Sequence, residues 1–164
     1  MFDEAALFYR SVLGLSPQES QEFAGPDGLI RSRAFGDGRV RLALNVPLVE
    51  GPSELQHIAF ACDDALAAAH RCAEAGVELL AISDNYYDDL AARTALSGER
   101  IEALREAGVL YDADEHGELL HFFTALVGDR LFFEVLERRR GYAGYGAANS
   151  AVRLGAQRSR PAPV

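Results

Sequence analysis

Between residues 39 and 46 apolar and polar positions alternate: Val40, Leu42, Leu44 and Val46 against Arg39, Arg41, Ala43 and Asn45. A period of two predicts a half-buried strand. Leu29, Ile30 and Phe35 predict a strand over 28–35, and Gly36-Asp37-Gly38 between the two is hairpin-turn chemistry. Ahead of them Phe8, Val12 and Leu15 share one helical face, with Asp3 as N-cap and Gly14 as stop. Pro47 ends the second strand. Residues 49–53 read as a linker.

A similar order then begins again. A strand covers about 55–62, and Asp63 or Asp64 caps a helix that runs to Ala75 and stops at Gly76. A polar helical insertion spans 86–107, broken near Ser97-Gly98. Strands follow over 109–112, 119–125 and 131–136, with Gly128-Asp129 as the last turn. A short helix covers 147–157, and the tail beyond it holds two prolines.

The second half thus reads strand, helix, three strands. The first reads helix, strand, strand, without an opening strand. The expected organisation is an α+β chain with an incomplete first module over 1–50 and a second βαβββ module over 54–138 that carries the 86–107 insertion. A C-terminal helix region at 141–157 and a disordered tail at 158–164 complete it. A domain seldom opens with its first residues already at a helix cap, so an upstream part is expected to be missing. The edge this leaves unpaired favours homo-oligomers.

Length and charge narrow the function. A chain of 164 residues suffices for one domain with a real core. A net charge of −9 argues against nucleic acid and anionic membranes as partners. Arg138, Arg139, Arg140, Arg153, Arg158 and Arg160 make the last third basic, read here as a solvated helix and tail. Cys62 and Cys72 read as buried, reduced thiols of a cytoplasmic protein. No apolar run approaches membrane-spanning length, and the N-terminus lacks a signal-peptide pattern.

Face assignment brings the chemistry forward. His57 shares a strand face with Leu55, Ala59 and Ala61, small enough to leave room for an imidazole, while Ile58 and Phe60 point the other way and suit a core. Glu134 shares its face with Phe132 and Leu136, where an ionised carboxylate is costly unless paired or bound to metal. A two-residue turn at 128–129 sets Phe123 opposite Glu134 and His121 on the diagonal, about 7–8 Å away. His57 and Glu134 therefore read either as metal ligands or as a structural histidine and a salt-bridged carboxylate. His121 reads as a donor to a backbone carbonyl. His70 and His116 read as surface residues, and Tyr86-Tyr87 as packing residues with wet hydroxyls.

Several stretches, in order, carry a family resemblance: Gln56-His57-Ile58-Ala59, Asn85-Tyr86-Tyr87-Asp88-Asp89-Leu90, Leu120-His121-Phe122, Phe132-Phe133-Glu134 and Tyr145-Gly146-Ala147-Ala148-Asn149. From Phe8 to about Gln157 the chain resembles the C-terminal half of the 4-hydroxyphenylpyruvate dioxygenases, of the vicinal oxygen chelate superfamily. It is more similar still to the dioxygenase-like domain fused behind a barrel in bacterial 3-dehydroshikimate dehydratases.

The resemblance implies βαβββ modules whose sheets curve around a metal, Fe(II) foremost, with Mg, Mn or Co as alternatives. His57 and Glu134 match two of the family's three ligands, and the third falls upstream of Met1 unless His121 substitutes. His121, Phe123 and Tyr145 would line the pocket of a 2-oxo acid or aromatic metabolite. His121 replaces a substrate-contacting Gln, Phe123 is kept, and Asn149-Ser150 stands for Asn-Phe. The implied partner is a fused or upstream barrel. The isolated chain is expected to be inactive, or to be a non-catalytic structural, regulatory or oligomerisation module of the same fold.

Overall fold

A computed structural model describes residues 2–25, 28–38, 40–47, 56–127 and 131–158. The chain divides into two compact units, Met1–Pro52 and Ser53–Val164. The expected linker at 49–53, the turn at 128–129 and the tail beyond Arg158 lie outside the described residues.

The first unit holds helix α1 (Phe2–Ser11) and strands β1 (Ser16–Gly25), β2 (Gly28–Gly36) and β3 (Arg41–Pro47), in one antiparallel sheet of order β1-β2-β3. β1 is a strand that periodicity missed. Its sequence, SPQESQEFAG, has no apolar alternation; the backbone ladder to β2 holds it, with a register break between Pro17 and Ser20. The expected hairpin closes as an Asp turn: Val40 N–H donates to Asp37 Oδ1 at 2.9 Å, and Gly38 takes φ +92°. Asp3 lies inside the first turn of α1 rather than capping it. Phe8 and Val12 are exposed; Ala6 and Leu15 are buried with Phe35, and Tyr9 meets Phe35 edge-on at 5.3 Å.

The second unit runs β4 (His57–Ala61), α2 (Ala65–Glu74), α3 (Asp84–Arg93), α4 (Gly98–Ala107), β5 (Leu110–Ala113), β6 (Gly117–Phe123) and β7 (Phe132–Arg140). A 3₁₀ turn (Ala147–Asn149) and helix α5 (Ser150–Arg158) follow. The sheet order is β4-β7-β6-β5, parallel between β4 and β7 and antiparallel elsewhere. Asp64 caps α2 by accepting from Ala67 N–H at 2.9 Å, Ser97 caps α4, and Gly108 closes α4 at φ +65°. The buried Glu137 carboxylate accepts Ala65 N–H at 2.9 Å, so it meets the positive end of α2. Leu90, Leu104, Val109, Leu110, Leu120 and Phe122 form the centre of the core.

The structure corrects several expectations. β7 continues to Arg140, so Arg138, Arg139 and Arg140 are strand residues and not part of a helix. Tyr86, Tyr87, Leu90, Ile101 and Leu104 are buried, which makes the insertion a packed helical layer with only its outer face polar. Ile58 and Phe60 are 40% and 54% exposed instead of lying in the core. Cys62 and Cys72 are free thiols, half-buried. Among the described residues no helix is long and apolar enough to cross a membrane.

Candidate metal centre

The ladders place the chemistry. Phe123 pairs with Glu134 and His121 with Leu136 across β6 and β7, while His57 pairs with Phe132 and Ala59 with Glu134 across β4 and β7. Glu134, on the central strand, is therefore reached from both sides. His121 Nδ1 lies 2.7 Å from Glu134 Oε1, and His57 Nε2 lies 3.1 Å from Glu134 Oε2. The carboxylate is 6% exposed. Burial works against its ionisation, but the hydrogen bonds from His121 and His57 outweigh that and hold its pKa down at about 2.

Aromatic rings frame the pair. The His57 ring stacks on Phe132 at 4.9 Å and 13°. Phe123 meets His121 and Phe132 edge-on, at 5.1 Å and 5.8 Å. His57 keeps 22% of its side chain exposed, whereas His121 is 1% exposed. The open side of the site is thus at His57.

His121 departs from two of the roles expected of it. It does not bond a backbone carbonyl, and neither ring nitrogen is free to serve as a substitute ligand. Nε2 faces Asn149 Nδ2 at 2.9 Å while Nδ1 faces the carboxylate. Asn149 also donates to Tyr111 O at 3.1 Å and accepts from Tyr86 Oη at 3.2 Å. Tyr86 Oη in turn accepts from Tyr111 N–H at 2.8 Å. So the Tyr86 hydroxyl is not wet; desolvation pushes its pKa up to about 12. Phe123 is 5% exposed and packed into the aromatic cluster. Tyr145 is half-buried, and its hydroxyl is enclosed without a hydrogen-bond partner among the described residues. The bend before α5 is pinned from β5: Tyr142 Oη donates to Asp112 Oδ2 at 2.6 Å and accepts Gly146 N–H at 3.1 Å.

Two residues that sequence reasoning did not single out for the site belong to it. Asn149 fixes His121. Arg153, assigned above to a solvated helix and tail, is 6% exposed, with its guanidinium 5.0 Å from the centre of the Phe132 ring and 5.8 Å from that of Phe123. A cleft of 740 Å³ opens elsewhere, between α3, α5 and the segment before α3, lined by Leu79, Leu80, Ile82, Tyr86, Val152 and Ala156; neither His57 nor Glu134 lines it.

Two donors that are each about 2.1 Å from one ion and at right angles to each other stand about 3.0 Å apart. The 3.1 Å between His57 Nε2 and Glu134 Oε2 fits two neighbouring positions of such an ion. Among the described residues no group of three or more His, Cys, Asp or Glu side chains is arranged to hold a metal ion. Among the described residues His57 and Glu134 thus present two neighbouring donor atoms.

Residues 1–103 match the Glyoxalase/Bleomycin resistance protein/Dioxygenase superfamily. The chain is 45% identical over 168 aligned residues to a 3-dehydroshikimate dehydratase of Pseudomonas aeruginosa, covering 94% of this chain and 26% of that protein. The structure of a xylose isomerase-like TIM barrel/4-hydroxyphenylpyruvate dioxygenase fusion protein superposes with a TM-score of 0.81 at 41% identity, over 96% of this chain and 27% of the fusion. A 4-hydroxymandelate synthase variant from Streptomyces coelicolor superposes with a TM-score of 0.82 at 26% identity, over 97% of this chain and 50% of the synthase. The chain thus spans about a quarter of the dehydratase and the fusion protein, in line with the α+β, dioxygenase-like reading of its motifs. It belongs to the glyoxalase/bleomycin resistance protein/dioxygenase superfamily.

Proposed function

We propose that this chain is the dioxygenase-like domain of a longer protein, fused to a barrel of the 3-dehydroshikimate dehydratase kind, and that it holds a divalent metal through His57 and Glu134. The observation that carries the reading is the 3.1 Å pair of His57 Nε2 and Glu134 Oε2, an imidazole and an ionised carboxylate side by side. Imidazole with carboxylate suits Fe(II) first, and Mn, Co or Mg after it. Further donors would come from outside the described residues or from ligand and water.

When bound, the metal would chelate a 2-oxo acid and activate dioxygen. The chain's own residues do the rest. His121, locked by Asn149, holds Glu134 in one orientation and keeps it charged. Phe132 holds the His57 ring flat against it. Phe123 and Phe132 make an apolar wall suited to an aromatic substrate. The test is calorimetric titration of the full chain with Mn(II), and with Fe(II) under anaerobic conditions. His57→Ala and Glu134→Ala should each weaken binding by about tenfold or more. Unchanged affinity in both variants removes the site.

A second reading is favoured by the same donor count. With two donors among the described residues, the domain would serve as a non-catalytic module that stabilises or regulates the barrel, or mediates oligomerisation. Oxygen uptake with 4-hydroxyphenylpyruvate separates the two: uptake by the full-length protein supports the dioxygenase, and its absence at saturating Fe(II) supports the module.

A further inference from the structure

Among the described residues Arg153 is a buried cation with no carboxylate in hydrogen-bond contact. Its direct polar partners are two neutral carboxamides: Nη1 donates to Gln157 Oε1 at 2.8 Å and Nη2 to Gln56 Oε1 at 3.4 Å, a long bond. Glu134 acts on it only through space; desolvation is the larger effect and brings its pKa down to about 10. A guanidinium carries five N–H donors in a planar fork matched to a carboxylate, and burying it without an anion is costly.

A donor nearby is idle among the described residues. The Nε2 of Gln157 is enclosed and meets no acceptor, while the Oε1 of the same amide is taken by Arg153. The fork and this amide are adjacent; the fork is met by neutral carboxamide oxygens, and the enclosed amide nitrogen has no acceptor among the described residues. Access is available from one side. Nη2 points toward Gln56, which is exposed and precedes His57 in the chain, and His57 is the open edge of the site. The weak Gln56 contact is the one an entering anion would replace.

We propose that Arg153 and Gln157 form a carboxylate subsite beside the His57–Glu134 pair, so that the ligand of this site is a small organic acid. The inference rests on the reading of this face as a ligand site and not on the metal. Arg153 supplies the charge, and the Gln157 amide supplies an added N–H. The aromatic rings under the guanidinium keep the ion pair dry, which strengthens it.

The test uses the full chain stripped of metal on a chelating resin. Calorimetry compares 3-phenylpropanoate with its uncharged counterpart, 3-phenylpropanamide. Neither carries the 2-oxo group that a metal would chelate. The acid should bind about tenfold or more tightly than the amide. Arg153→Gln should abolish that preference while leaving amide binding in place, and Arg153→Lys should keep only part of it, because an ammonium does not form the fork. If Arg153→Gln shows no cooperative melt, Gln157→Leu decides, with an expected fall in the preference of about threefold.

Equal binding of acid and amide overturns the proposal. So does no binding of the acid up to about 10 mM, or a preference that survives Arg153→Gln or, where that variant does not fold, Gln157→Leu. A protein that binds Mn(II) but shows no acid preference loses this subsite and keeps the metal pair. The converse result removes the metal pair alone.

Discussion

Asn149 Nδ2 stands 2.9 Å from His121 Nε2, and that bond sets the protons of the buried network. The same amide donates to Tyr111 O, so it presents N–H to the imidazole and leaves Nε2 as an acceptor. His121 must then carry its proton on Nδ1 and donate it to Glu134. Replacing Asn149 with Ala leaves Nε2 buried without a donor. The expected cost is about 2–3 kcal/mol in urea unfolding, with an unchanged m-value. An Ala variant as stable as the parent would mean the network tolerates a vacancy and does not orient Glu134.

The nearness of His121 to Glu134 was legible from sequence because strands have a period of two and the hairpin register follows it, whereas the meeting of His57 and Glu134 was implied by the family resemblance. Phe123 does sit opposite Glu134, with His121 on the diagonal. Arg153 and Asn149 were not legible, since a helix of mixed composition does not reveal which face meets the sheet, and an arginine in a basic stretch reads as solvated. β1 escaped for another reason: nothing in Ser16–Gly25 alternates, and only its partner β2 makes it a strand. The helical insertion read as polar because its charged outer face hides the buried Tyr87, Leu90 and Leu104.

Gly146 carries a steric demand that its neighbours set. Its φ is +69°, and a Cβ there would stand 2.7 Å from His121 Cε1 and 2.9 Å from Leu119 Cδ2. Gly76 has a similar φ of +77° with nothing within 4 Å of the same added atom. Gly76→Ala should therefore cost only the backbone strain, about 1 kcal/mol. Gly146→Ala should cost about 2–4 kcal/mol, as strain and overpacking add. Equal losses in urea unfolding would show that His121 yields freely.

Tyr87 is 1% exposed, and its hydroxyl meets no partner among the described residues. Burial pushes its pKa far upward. Its ring does the useful packing, edge-on to Tyr86 at 5.0 Å and under the Arg105 guanidinium at 5.4 Å. Tyr87→Phe keeps both contacts and removes the buried polar atom. Stability should rise by about 0.5–1.5 kcal/mol in thermal or urea unfolding. A loss of stability would reveal that the hydroxyl has found an acceptor, ordered water included.

The depressed pKa of Glu134 makes the metal-free fold sensitive to acid. In the folded state the carboxyl titrates at about 2 against an ordinary 4.5. Between those values the unfolded chain takes up a proton that the native site refuses, so unfolding gains ground as pH falls. The contribution is whole above pH 4.5 and drains away as pH drops through the window toward about 2. Glu134→Gln removes that titration and keeps a neutral acceptor. Wild type should exceed the variant in urea-unfolding stability by a constant margin just above the window, at about pH 5.5. The margin should narrow steadily down to about pH 3. A margin that stays flat over that range would mean His57 and His121 do not hold the carboxylate ionised, and Glu134 would lose its standing as a preformed anionic ligand.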